Sequence, residues 1–125
     1  MSDPFLAGRL RSFADAFAGL RVVVVTQRNT WIHAVATLLV VALGVWLELG
    51  RLDWCWLVVA IALVWIAESF NTALESLADA SVPEQHPLVR RAKDSAAAAV
   101  LLAAIAAAAI GFLVLGRPLL LRLVG

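Results

Sequence analysis

The stretch Trp54 to Ala80, WCWLVVAIALVWIAESFNTALESLADA, decides the fold. It carries no charge through Ala67, and then Glu68, Glu75 and Asp79 follow with no glycine or proline to interrupt the pattern. The reading is one long helix that starts apolar and ends acidic. At ~100° per residue, and with Glu68 as zero, Asn71 falls at about −60°, Glu75 at about −20° and Asp79 at about +20°. Four polar groups therefore share one narrow stripe of an otherwise apolar helix. Ionisable groups inside a membrane span cost ~2.5–3.5 kcal/mol each at the centre, so they face a bundle interior or cavity and mark function. The plain alternative is the wet end of a helix. Glu68 lies ~22 Å along the axis from Pro83, too deep for simple snorkelling unless the helix projects well beyond the lipid.

Working outward, Asn29 to Leu47 is free of charge. At ~1.5 Å per residue it covers nearly the whole ~30 Å hydrocarbon core. Trp46, Trp54 and Trp56 cluster at its far end as an interfacial aromatic belt, around a short polar turn of Glu48, Gly50, Arg51 and Asp53. On the other side, Pro83 and Pro87 bound the loop 81–88. The basic run Arg90, Arg91 and Lys93 then leads into a charge-free stretch from Ser95 to Gly116, whose alanines suit close helix packing. Arg117 to Gly125 reads as a short terminal tail.

The first segment, about 4–25, places Phe5, Leu6, Leu10, Phe13, Phe17 and Leu20 at helical spacing with Arg9, Arg11 and Asp15 between them. It reads as an amphipathic helix in the membrane interface. The β-branched run Val22–Val25 is a place where it would loosen. It lacks the compact apolar core and small-residue cleavage site of a signal peptide.

The expected fold is therefore an all-α membrane protein: a surface helix plus three spans at about 29–48, 54–80 and 87–116, in a single domain over 1–125. Composition agrees. The 125 residues are 63% hydrophobic with mean hydropathy +0.94, against ~45–50% apolar in soluble domains. Three spans put Arg9, Arg11, Arg21, Arg28, Arg90, Arg91 and Lys93 on one side, and Arg51, Arg117 and Arg122 on the other. That asymmetry sets the N-terminus and the 81–90 loop in the cytoplasm.

The lone Cys55 excludes an intrachain disulfide or a cysteine metal site. Neither a Walker-type nor a dinucleotide glycine loop occurs, and no zinc spacing or Ser–His–Asp order stands out. The acidic stripe suits two tasks: a carboxylate can hold a hard cation such as Mg²⁺, and another can accept a proton from a hydroxyl. Lys93, with Asp94 beside it, stands where it could neutralise phosphate charge, or serve simply as a positive-inside anchor. His33, alone early in the first span, reads as a hydrogen-bonded packing residue in preference to a ligand or base. His86 is either a plain loop residue or a substrate contact.

Three blocks carry a family resemblance. AESFNTALESLAD (67–79) resembles the motif E-x-x-N-[ST]-A-[IL]-E of the small bacterial diacylglycerol kinase and undecaprenol kinase family. RRAKDSAAAAVLLAA (90–104) resembles its A-K-D block, and SFADAFAGLRVVVVTQRNTWIHA (12–34) its N-terminal signature. The resemblance covers roughly residues 11–111. It implies a homotrimer of three-span subunits in the bacterial inner membrane, transferring phosphate from ATP to a lipid hydroxyl at the cytoplasmic face. By position, Glu68 resembles the general base and Glu75 a Mg²⁺ ligand. Asn71, Lys93 and Asp94 resemble nucleotide-site residues. Glu84, Gln85 and His86 match the loop that touches ATP, and Arg11 a nucleotide contact. Gln27 stands where the family commonly has a second metal-binding glutamate, which implies weaker or shifted metal binding. The block around His33 and the E-x-H-P-L loop look more like the undecaprenol branch than the diacylglycerol one. Acids in a span would also serve a small transporter or channel subunit, but transport needs no basic loop followed by A-K-D. An inactive family member is the other reading, favoured by Gln27 alone.

Overall fold

The computed structural model describes residues 4–82 and 86–125. They form four helices: α1 (Pro4–Thr26), α2 (Thr30–Trp46), α3 (Arg51–Ser81) and α4 (Pro87–Val124). No strand occurs among the described residues. By length and composition, α3 and α4 can each cross a membrane; α2, with 17 residues, falls just short by itself. At ~1.5 Å per residue α2 spans ~26 Å, α3 ~46 Å and α4 ~57 Å, against a hydrocarbon core of ~30 Å. The two long helices therefore project beyond the lipid.

The α1–α2 junction is an elbow of 107° at residues 27–29. This angle lays α1 across the end of the bundle, the posture of a surface helix. Its Phe5, Leu10, Phe13 and Phe17 remain uncovered by the rest of the chain. The elbow is set by the buried Thr30, whose hydroxyl donates to the Val23 carbonyl at 3.0 Å. The expected loosening at Val22–Val25 does not occur. The helix runs through Thr26, with Val23 buried at the elbow. Burial there outweighs the weak helix propensity of β-branched residues.

α3 and α4 form the main packing interface, and α2 leans on α3. The better covered residues of α4 include Val89, Lys93, Ala96, Val100, Ala103, Ala107, Ile110 and Val114. Those of α3 include Leu57, Ala60, Val64, Ala67, Asn71, Leu74 and Ala78. Both series alternate steps of three and four, the seam of antiparallel helices packed at a shallow angle. Alanines on both seams allow the close approach that van der Waals packing in lipid requires.

The α2–α3 turn is a Schellman close. The Leu49 N–H donates to the Gly44 carbonyl (3.2 Å) and the Glu48 N–H to the Val45 carbonyl (3.1 Å). Glu48 takes the left-handed position at φ 54°, where glycine is usual. Gly44 accepts the indole of Trp54 so closely that an added Cβ would stand 2.7 Å from its Cη2. Arg51 and Asp53, expected in the polar turn, already belong to the first turn of α3. The expected C-terminal tail is helical as well, because α4 continues through Pro118 to Val124. The apolar residues 119–121 carry the pattern onward, and a proline removes only one backbone donor from the ladder. The guanidinium of Arg122 lies 5.6 Å over the Trp46 ring and joins the end of α4 to the end of α2.

Candidate active site

The acidic stripe of α3 faces inward where it is deepest and turns outward toward its end. Glu68 is 4% exposed and Asn71 7%, Glu75 is half-buried, and Asp79 is exposed. Thr72, also buried, satisfies its hydroxyl on the Glu68 carbonyl at 2.8 Å and leaves the Glu68 carboxylate free.

Glu75 accepts hydrogen bonds on both carboxylate oxygens. Gln27 Nε2, from the elbow, donates to Oε2 at 2.9 Å, and Asn71 Nδ2 donates to Oε1 at 3.4 Å. The structure thus brings Gln27, Asn71 and Glu75 together. Asn71 Oδ1 is buried and has no hydrogen-bond partner. A carbonyl oxygen so placed beside a carboxylate suits a cation or a donor from a bound molecule. No group of three or more His, Cys, Asp or Glu side chains able to hold a metal occurs among the described residues. A cation here would rely on Glu75, on amide oxygens of Asn71 and Gln27, and on ligands brought by a substrate.

Lys93 Nζ donates to Asp79 Oδ1 at 2.6 Å, a link between the end of α3 and the start of α4. Lys93 precedes the charge-free stretch of α4. His86 caps α4: its Nδ1 accepts from the Leu88 N–H at 3.2 Å, with Pro87 at the first helical position. That cap is a local reason for a histidine there beyond the two the sequence suggested. No hydrogen bond or ion pair joins Arg11 or Asp94 to the cluster among the described residues. Glu84 and Gln85 lie outside the described residues.

The sequence reads His33 as a hydrogen-bonded packing residue, and the structure sets it beside Glu68. Its Nε2 stands 3.7 Å from Glu68 Oε2, with both side chains largely covered. One turn farther along α2, the Thr37 hydroxyl donates to the His33 carbonyl (2.7 Å) and accepts from Trp65 Nε1 (3.0 Å). A signal was present. Thr30, His33 and Thr37 recur at steps of three and four, a polar stripe on α2 that mirrors the one on α3.

Comparison with known proteins places the chain in a family. The family model for prokaryotic diacylglycerol kinase matches residues 14–115. A diacylglycerol kinase of Synechocystis sp. is 44% identical over 112 residues, which cover 89% of this chain and 64% of the relative. The chain thus spans about two thirds of that protein's length. An undecaprenol kinase of Bacillus subtilis is 35% identical over 104 residues, covering 83% of this chain and 85% of the relative. A diacylglycerol kinase of Escherichia coli is 34% identical over 98 residues, covering 78% and 80%. The matched region begins within α1, ends near the far end of α4, and contains the elbow, the acidic stripe and the Lys93 turn. On these matches and this helical membrane architecture, the chain belongs to the prokaryotic diacylglycerol kinase family of small membrane lipid kinases.

Proposed function

We propose that the chain, as a single kinase domain, transfers the γ-phosphoryl group of ATP to the primary hydroxyl of a membrane lipid alcohol, undecaprenol in preference to diacylglycerol. The observation that carries this reading is the buried carboxylate of Glu68 on an apolar span, beside a polar cluster that opens toward the wet end of the helix. A lipid alcohol reaches such a carboxylate from the bilayer, and ATP reaches the cluster from water.

Glu68 accepts the proton of the lipid hydroxyl as its oxygen attacks the γ-phosphorus and ADP leaves. Its own polar demands are met by few neighbours, so it is free to do so. Glu75, Asn71 and Gln27 would hold Mg²⁺, which when bound offsets phosphate charge; the unpartnered Asn71 Oδ1 supports this fit. Lys93 and Arg11 supply positive charge for the phosphates, Lys93 by exchanging its bond to Asp79. Asp94, with Glu84, Gln85 and His86 of the connecting loop, completes the nucleotide site. In phosphoryl transfer, positioning and electrostatics supply most of the rate gain, and Glu68, Asn71 and Glu75 share one helix, α3, with Lys93 on α4 beside it.

The basic residues flanking the spans support a cytoplasmic N-terminus and site, in the bacterial inner membrane. The extensive apolar surface that α2 and α4 leave uncovered supports a homotrimer as well as lipid contact. The preference for undecaprenol is supported by the residues around His33 and by the E-x-H-P-L loop.

The test is phosphate transfer from labelled ATP by the purified chain in mixed micelles with Mg²⁺, with each alcohol offered separately. Glu68→Gln, which keeps the shape and removes the base, should lower turnover by ~10²–10⁴-fold with the helices intact. Unaltered turnover in that variant would end the assignment of Glu68. Product only on diacylglycerol would overturn the acceptor preference.

A further inference from the structure

The deep end of the stripe holds a carboxylate with one described polar neighbour, and the helix turn that carries that neighbour is tied to α3. His33 sits in the first turns of α2, just past the elbow that the Thr30–Val23 bond fixes. On its other side the Thr37 hydroxyl binds the His33 carbonyl and is itself held by the Trp65 indole of α3. Trp65 is three residues before Glu68, so the same two helical turns carry both cross-links. The imidazole also borders an apolar cavity of about 450 Å³ between α2, α3 and α4 that extends to Phe112 and Leu115. His33 thus stands between a lipid-like space and the carboxylate.

We propose that His33 is the positioning residue for Glu68, its Nε2–H facing Oε2 and fixing the orientation of the carboxylate. This rests on the lipid kinase reading given above. At 3.7 Å the contact is too long for a full hydrogen bond and short enough for electrostatic guidance; a small rotation of either side chain closes it. In the transfer step the lipid O–H bond breaks and its proton passes to Glu68, the O–Pγ bond forms, and the bond from Pγ to the bridging oxygen of ADP breaks. His33 keeps its own proton throughout. Its contribution is to fix the direction in which Glu68 presents its lone pair, and misplacement by ~1 Å is enough to cost ~10²-fold in rate.

Two substitutions separate positioning from packing. His33→Leu fills the space without a donor, whereas His33→Gln brings an amide N–H to nearly the place of Nε2. In the micelle assay, His33→Leu should lower kcat by ~10–100-fold while the KM for ATP stays within ~2-fold, and His33→Gln should recover most of the loss. Combined with Glu68→Gln, His33→Leu should add nothing further, because a residue acting through another is not additive with it. Wild-type kcat in His33→Leu, or equal losses in the Leu and Gln variants, would overturn the proposal.

A second measurement does not depend on turnover. The chain has two histidines, His33 and His86. With ¹⁵N-labelled histidine, Glu68→Gln should shift the His33 ring-nitrogen signals and leave those of His86 in place. An unmoved His33 signal would overturn the pairing even if the enzyme is active. A shifted signal would sustain the pairing even if no tested alcohol is phosphorylated, a result that would count against the kinase reading alone.

Discussion

Gly44→Ala tests how tightly the far end of the bundle is built. In a helix interior this change is ordinarily favourable, by ~0.8–1.0 kcal/mol. Here the new Cβ would lie 2.7 Å from Trp54 Cη2, 2.9 Å from Cζ2 and 3.3 Å from Cζ3. Carbon atoms rest best at ~3.5–4.0 Å, so the indole must retreat by about an ångström. Overpacking of that kind costs ~1–3 kcal/mol. Subtracting the propensity gain leaves a net destabilisation of up to ~2 kcal/mol. The assay is reversible unfolding in micelles followed by far-ultraviolet circular dichroism. It would be run in the native sequence and in a Trp54→Leu background. With the ring gone, the same Gly44→Ala change should turn stabilising by up to ~1 kcal/mol. A stabilising effect in both backgrounds would show that the indole swings away freely, and would refute the close-packed turn.

Glu48→Gly should stabilise the same hairpin by ~1 kcal/mol, since glycine takes the left-handed position without steric cost; a loss of stability in the same unfolding assay would count against that geometry. Gln27→Glu replaces an amide donor to Glu75 with a second carboxylate. Calorimetric titration with Mg²⁺ and an ATP analogue should show tighter cation binding, and no change would remove Gln27 from the metal site. Thr30→Val removes the buried bond to the Val23 carbonyl, which keeps only the longer bond from the Gln27 N–H (3.4 Å), so unfolding should show a loss of ~0.5–1.5 kcal/mol.

The long helices were legible because lipid imposes a simple grammar: charge-free stretches mark spans, and proline-bounded polar loops mark their ends. The acidic stripe was legible for the same reason, since four polar groups on one face of an apolar helix have few structural excuses. What escaped was cross-helix chemistry. The bond from Gln27 to Glu75 joins positions 48 residues apart, and the Trp65–Thr37 bond positions 28 apart. Neither register can be read without knowing how α2 leans on α3. His33 escaped because a single histidine is weak evidence, whereas its stripe with Thr30 and Thr37 becomes meaningful only beside Glu68. The continuation of α4 past Gly116 escaped because Arg117 and Pro118 resemble a stop, although one missing donor does not end a helix whose neighbours remain paired. The Asp79–Lys93 link was out of reach because it depends on the register in which α3 packs on α4.

The fastening of the hairpin has a mechanical consequence. At the far end, α2, α3 and α4 are pinned by shape: an indole seated on a glycine, and a guanidinium laid over a second indole. At the opposite end they are joined by amides, hydroxyls and one ammonium, each of which can exchange its partner for water or for an incoming phosphate oxygen. Fixed at one end and negotiable at the other, the three helices form a peg with its pivot at the far side. A phosphate oxygen arriving at Glu75 and Lys93 would compete with those bonds and leave the two indole contacts in place.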